Sequence, residues 1–429
     1  MVSELERFCA CCDPVVGFAH LVCDGCGHHR IVPFTCHTRA FCPCCCGRRM
    51  VERAAAWCDG VIPYVAVRQW VLTVPWPRRF LFARRPALAG GVLQVALRAI
   101  FGWYRDRGRA LGVTDGKTGS ITVIQRAGSS GNLNIHFHCL VLDGVYYRDP
   151  KTGALVFRGV PPPTQEEIAS LVQTIAYRAE RWLARKGYGG NEEETPFEED
   201  PDDAQVLLMA ASMEGRSALR GGRTRRRGVP RNPTDLPPRC AAHEDYNLHA
   251  DVRISSRERA ALERLCRYVL RPPLSKARLE ETAQGDIRLT LKRPWSDGTT
   301  EMHFTRQEFL ERLCALVPPP KSNTIIYNGV LAAHAALRSE VVPLAPPQPH
   351  PKRPGIRLVL EGKASEKSRS WSWADLLQRV FSVDGFACPH CRSRMRLRAV
   401  VIGAPATTEV LDGIARAVNR TAAQAASNV

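Results

Sequence analysis

Asn132-Leu133-Asn134-Ile135-His136-Phe137-His138-Cys139-Leu140-Val141-Leu142 is the stretch on which the reading of this 429-residue chain turns. Apolar and β-branched residues fill it and Asp143-Gly144 closes it like a turn, which predicts a β-strand. Alternate side chains of a strand share a face. His136 and His138 therefore project side by side, and Phe137 turns to the opposite, core-facing side. Two imidazoles on one face of a rigid strand make half of a metal site. Working outward, Gln69-Trp70-Val71-Leu72-Thr73-Val74, ended by Pro75, and Ser120-Ile121-Thr122-Val123-Ile124-Gln125 also read as strands. A Gly/Ser turn from Gly128 to Gly131 then makes an antiparallel hairpin whose second arm carries the histidines.

Two helices follow from capping and periodicity. Thr164 and Glu167 form a capping box, and Ile168, Leu171, Val172, Ile175, Ala179 and Trp182 recur at helical spacing up to Lys186, with Gly187 as the stop. Ser255 with Glu258 predicts a second box, opening a helix that runs to Arg271, where Pro272-Pro273 ends it. Leu262, Leu265, Cys266 and Val269 form its buried stripe. At 100° per residue Tyr268 falls off that stripe, near the face of Arg264 and Arg271. A phenol between two guanidiniums suits phosphate chemistry: the cations hold a phosphodiester and favour the phenolate. A half-buried tyrosine packed on arginine stems is the plainer alternative.

The chain carries 60 Lys and Arg against 42 Asp and Glu, a formal charge of +18. That excess points to a polyanionic partner. No stretch reads as apolar for long enough to span a bilayer and the N-terminus lacks a signal-peptide pattern, so nucleic acid rather than a membrane is the expected partner. The acidic run Glu192 to Asp203 reads as a solvated loop. The basic run Arg216 to Arg231, with Arg223, Arg225, Arg226 and Arg227, reads as a phosphate-contacting or flexible charged insertion.

Ten of the 17 cysteines lie before residue 47. Cys23-x-x-Cys26 and Cys42-x-x-Cys45 have the spacing of a zinc site in a cytosolic protein, and four thiolates suffice for closed, structural Zn²⁺ coordination. Cys44 and Cys46 compete in the second turn, and Cys11 and Cys36 could complete a second site. Arg48 and Arg49, beside the second turn, are expected to grip DNA. Cys388-x-x-Cys391 offers only two ligands, either a metal-free turn or a pair that borrows ligands from elsewhere. The expected compartment is a bacterial cytoplasm, at the nucleoid.

Together these features resemble the HUH (His-hydrophobic-His) rolling-circle transposases of the IS91 and ISCR kind. The resemblance runs through Phe41-Cys42-Pro43-x-Cys45-x-Gly47-Arg48-Arg49-Met50, the strand Arg68 to Pro75, the histidine strand with Asp143-Gly144-Val145-Tyr146, Leu265-Cys266-Arg267-Tyr268-x-x-Arg271-Pro272-Pro273, Tyr327-x-Gly329-Val330-Leu331-Ala332 and Cys388-Pro389-x-Cys391. It implies an α+β fold, a central antiparallel sheet with flanking helices preceded by a small Cys-rich zinc-binding module. It implies a DNA transposase in which His136 and His138 hold Mg²⁺ or Mn²⁺ and Tyr268 attacks single-stranded DNA, leaving a 5′-phosphotyrosine and a free 3′-hydroxyl. Arg264 stands where some relatives carry a second tyrosine, so the likeness is to the single-tyrosine branch. Such sites usually have a third protein ligand, for which Gln125 and His249 are the candidates. The division expected is 1–53 zinc module, 54–340 catalytic domain, 341–370 Pro-rich linker, and 371–429 C-terminal helix with the CPxC knuckle and a disordered tail. Two rivals stay open: a zinc-dependent, non-catalytic DNA-binding protein, and a plasmid replication initiator or relaxase with the same nicking chemistry. A degenerate, inactive transposase copy is a further possibility.

Overall fold

The structure is a computed structural model that describes residues 2–38, 42–189, 203–222, 224–228, 238–295, 297–342 and 373–427. The Pro343 to Pro354 linker, Arg223 and nearly all of the acidic run lie outside the described residues. The chain divides into two units: Met1–Glu52 together with Gly355–Val429, and Arg53–Pro354.

The larger unit is built on a seven-stranded sheet. Its centre is the histidine strand Leu133–Leu142, flanked antiparallel by Gly119–Ala127 and Val67–Thr73. The hairpin is the expected one. Its turn closes with Gly128 N–H donating to the Asn132 carbonyl over 2.9 Å, and Gly131 takes φ 72°, a conformation that favours glycine. Period-two alternation sends Ile135, Phe137, Cys139 and Val141 into a core shared with the helices Pro86–Ala110 and Gln165–Ala184. The other face packs Ile121, Val123 and Leu140 against Leu262, Leu265, Cys266 and Val269 of the helix Arg259–Val269, the tyrosine helix. Both faces of this sheet are therefore covered by helices.

The Thr164 capping box forms as read, with Thr164 Oγ1 accepting from Glu167 N–H and Glu167 accepting from Thr164 N–H. The tyrosine helix differs from expectation. It begins at Arg259 with Glu258 as N-cap and ends at Val269. Ser255 spends its hydroxyl and its N–H on the Glu258 carboxylate, 2.7 and 3.1 Å away, so Ser255 caps no helical amide. The expectation of no membrane-length apolar segment also needs correcting. Pro86–Ala110 is long and apolar enough by composition, yet 56% of its most apolar window is buried in the core of this unit.

At the end of the histidine strand, Asp143 is fully buried and accepts from Arg68 (2.9 and 3.1 Å), Tyr104 (2.9 Å) and Arg253 (2.8 Å). Four hydrogen bonds from three side chains onto one carboxylate are what a buried charge requires. Arg225–Gly228, part of the basic run, is a strand at the edge of a second, four-stranded antiparallel sheet rather than an insertion without structure.

The smaller unit joins the two ends of the chain. Gly17–Cys23 pairs antiparallel with His29–Pro33 on one side and with Met395–Ile402 on the other. A C-terminal strand thus completes the N-terminal sheet, where the sequence suggested two separate modules. From Thr421 the backbone continues the helix Ala404–Ser427 and does not form the expected disordered tail.

Candidate active site

His136 and His138 stand on the sheet face that the tyrosine helix covers, with ring centroids 4.9 Å apart. His136 Nδ1–H donates to the Asn134 carbonyl over 2.9 Å, which leaves the Nε2 lone pair free. His138 is 3% exposed, and its Nε2 is buried without a hydrogen-bond partner. Its Nδ1 lies 2.7 Å from the Gln69 amide nitrogen. Turning that amide over changes no packing and puts its oxygen there instead, to accept Nδ1–H and free the Nε2 lone pair. Burial pushes His136 down to about 4, with Arg271 and Arg79 adding to it. Burial, then His136 and Arg271, pushes His138 down to about 2. Both rings are neutral at pH 7, as metal ligation requires. An orphaned buried imidazole nitrogen beside a second neutral imidazole is a fit for a divalent ion. Two nitrogen donors suit Mn²⁺ better than the harder, oxygen-seeking Mg²⁺.

Tyr268 reaches the same place. Its ring is perpendicular to His138 with centroids 5.9 Å apart, and it is 47% exposed. The Arg271 guanidinium carbon lies 4.0 Å over the phenol ring while its Nη1 donates to the Tyr268 carbonyl over 3.2 Å. Arg264, one turn earlier, is exposed; the cation on the ring is Arg271.

The two candidates for a third ligand fare differently. Gln125 sits directly across from His136 in the strand pairing, and its amide N–H donates to the Val269 carbonyl over 2.6 Å, tying sheet to tyrosine helix. His249 pairs with Val71, which in turn pairs with His138, so a whole strand separates the two histidines. Among the described residues, no group of three or more Cys, His or acidic side chains with ligand atoms within 4.8 Å of one another includes His136 or His138. His249 is thus not brought to the pair.

Sequence reasoning missed Gln69 and most of the cationic surroundings. Arg79 acts on His136, Arg278 feels Arg271, and Lys292 feels Arg271 and Arg278. These cations come from the helix Trp76–Arg84, the short turn Lys276–Arg278 and the segment after the strand Ile287–Thr290. No spacing rule links elements so far apart, so the only signal was the overall charge.

The cysteines regroup. Cys11, Cys36, Cys42 and Cys45 form one cluster, and Cys23, Cys26, Cys388 and Cys391 another, each with ligand atoms within 4.8 Å of one another. The expected pairing of Cys23 and Cys26 with Cys42 and Cys45 is therefore replaced, because strand Gly17–Cys23 delivers its knuckle to the C-terminal strand. In the first cluster the sulfurs of Cys11 and Cys42, and of Cys36 and Cys45, lie 3.4 Å apart. Thiolates around a tetrahedral Zn²⁺, with bonds of about 2.3 Å, stand about 3.8 Å apart. Cys44 and Cys46 join neither group. Arg49 donates to the carbonyls of His37 and Thr38 and so braces the loop of the first cluster.

A sheet-borne histidine pair facing a helix-borne tyrosine, in a chain with two four-cysteine clusters that could each hold zinc, is the arrangement of a candidate nucleic-acid-processing protein. Residues 119–338, just over half of the chain, match the family described as "Putative transposase", and residues 1–74 match the transposase zinc-binding domain. The chain belongs to the IS91-type transposase family with an N-terminal zinc-binding domain. No curated protein and no solved structure gives a significant match.

Proposed function

We propose that this chain nicks and rejoins single-stranded DNA at the ends of a mobile element, with Tyr268 as the nucleophile. The observation that carries the reading is the Tyr268 ring, perpendicular to His138 at 5.9 Å and capped by Arg271. His136 and His138 would hold a divalent ion, with Gln125, across the strand pairing from His136, as a further candidate donor. When bound, that ion supplies Lewis-acid polarisation of the scissile phosphoryl group. Arg271, Arg79, Arg278 and Lys292 offset phosphate charge and hold the strand. Tyr268 Oη releases its proton to solvent and attacks phosphorus, the bond from phosphorus to the 3′ oxygen breaks, and the departing 3′ oxygen takes up a proton from solvent. The products are a 5′-phosphotyrosine and a 3′-hydroxyl. The covalent link keeps the phosphodiester energy, so attack by a 3′-hydroxyl reseals a strand without a nucleotide cofactor. Cys11, Cys36, Cys42 and Cys45 would hold a structural Zn²⁺ that replaces a core in so short a segment.

A non-catalytic zinc-dependent DNA-binding protein explains the charge and the cysteines but leaves the orphaned His138 Nε2 and the nearby phenol without a role. The test is to incubate the protein with labelled single-stranded element ends and Mn²⁺ and resolve the products under denaturing conditions. A covalent adduct is expected with the natural chain and none with Tyr268→Phe. An adduct that persists in Tyr268→Phe would move the nucleophile elsewhere, and its absence from both would favour the binding-only reading.

A further inference from the structure

We propose that Cys23, Cys26, Cys388 and Cys391 bind a second zinc ion, which fastens the C-terminal end of the chain onto its N-terminal end. All four are free thiols. Cys23 Sγ lies 3.4 Å from Cys391 Sγ, and Cys26 Sγ lies 3.6 Å from Cys388 Sγ. Those separations are far longer than the about 2.05 Å of a disulfide and close to the about 3.8 Å between thiolates of a tetrahedral zinc centre. Cys23 with Cys26, and Cys388 with Cys391, each come from a turn with two intervening residues, the arrangement that lets two knuckles close on one metal.

The protein around the sulfurs is built for the purpose. Gly25 N–H points at Cys23 Sγ over 3.4 Å, and a Cβ on Gly25 would fall 2.5 Å from Ser393 Oγ and 3.4 Å from Cys391 Sγ, so the two turns meet where only glycine fits. In the second turn, Cys388 N–H donates to the Ser393 carbonyl over 2.8 Å and Arg392 N–H to the Cys388 carbonyl over 3.0 Å. The turns are tied to each other by Asp24 N–H donating to the Arg394 carbonyl and by an Asp24–Arg396 ion pair of 2.6 Å. Behind them the pairing of Cys23 with Met395 fixes the register, and Leu21, Cys23, Cys388 and Met395 share a small buried core. A metal bond here would add to the strand pairing and this small core in holding together two chain ends that are some hundreds of residues apart. The two zinc ions then divide the labour: one lies within the first 45 residues, the other makes the chain a closed loop.

The experiment counts zinc in the full-length protein and in Cys391→Ser, chosen because Cys391 is exposed and carries no core packing. Two zinc ions per chain are expected, falling to one in the variant. A variant count equal to that of the natural chain would overturn the proposal. Thiol alkylation with peptide mapping, on the natural chain, gives an answer that does not depend on the variant's folding. Exposed Cys26 and Cys391 should be alkylated roughly tenfold or more slowly with zinc than after chelation. Equal rates in the two states, with Cys42 and Cys45 still protected by zinc, would also overturn it.

Discussion

His138 has a hydrogen-bond partner on Nδ1, Gln69, and none on its buried Nε2. An imidazole ligates through one nitrogen and is oriented through the other, and losing the orienting group typically costs 10–100-fold in metal affinity or activity. Gln69→Leu removes the acceptor while keeping most of the volume. It should raise the Mn²⁺ concentration needed for half-maximal adduct formation by about 10–100-fold, with activity recovering at high Mn²⁺. An unchanged Mn²⁺ titration would deny Gln69 that role. The histidine pair itself was legible, because strand period places residues two apart on one face whatever the rest of the chain does. Gln69 was not, since a glutamine in a strand carries no mark of its cross-strand neighbour until the register is known. His249 shows the reverse error: it was close to the tyrosine helix in sequence, but the strand Val67–Thr73 runs between it and His138.

At the level of elements, the buried stripes of both helices held, while the caps fared differently. The helix Gln165–Ala184 had a cap and a stripe, and both appear in the structure. The tyrosine helix had the stripe, which packs as expected, but its box was misread because Ser255 found the Glu258 carboxylate instead of a backbone amide. The strength of the first box can be measured. Thr164→Ala removes the oxygen that accepts from Glu167 N–H and should destabilise the larger unit by about 1 kcal/mol, lowering its melting temperature by a few degrees in circular dichroism. A melting curve superimposable on the natural one would show that core packing of Ile168, Leu171, Val172 and Ile175 alone holds the helix. Tyr268 profits from this division of labour. The buried stripe anchors its helix on the sheet, so an exposed phenol can be held beside the histidines without being packed itself.

On the scale of the whole molecule, a charge of +18 announced a polyanion partner but not where the cations would gather. Tertiary folding assembles the cations: Arg271 and Arg79 act on His136, and Arg278 and Lys292 lie within reach of Arg271. The joining of the chain ends was equally hidden. Cys388-x-x-Cys391 offered two ligands without a partner, and only the pairing of Gly17–Cys23 with Met395–Ile402 supplies the other two. Short-range patterns thus gave the parts, while long-range pairing decided which cysteines and cations share a site. Tyr268 is the residue proposed to become linked to DNA. The most direct measurement is mass spectrometry of tryptic peptides from the trapped protein–DNA adduct, after nuclease digestion of the DNA. A nucleotide remnant is expected on the peptide that contains Tyr268. A remnant on any other peptide would contradict that role.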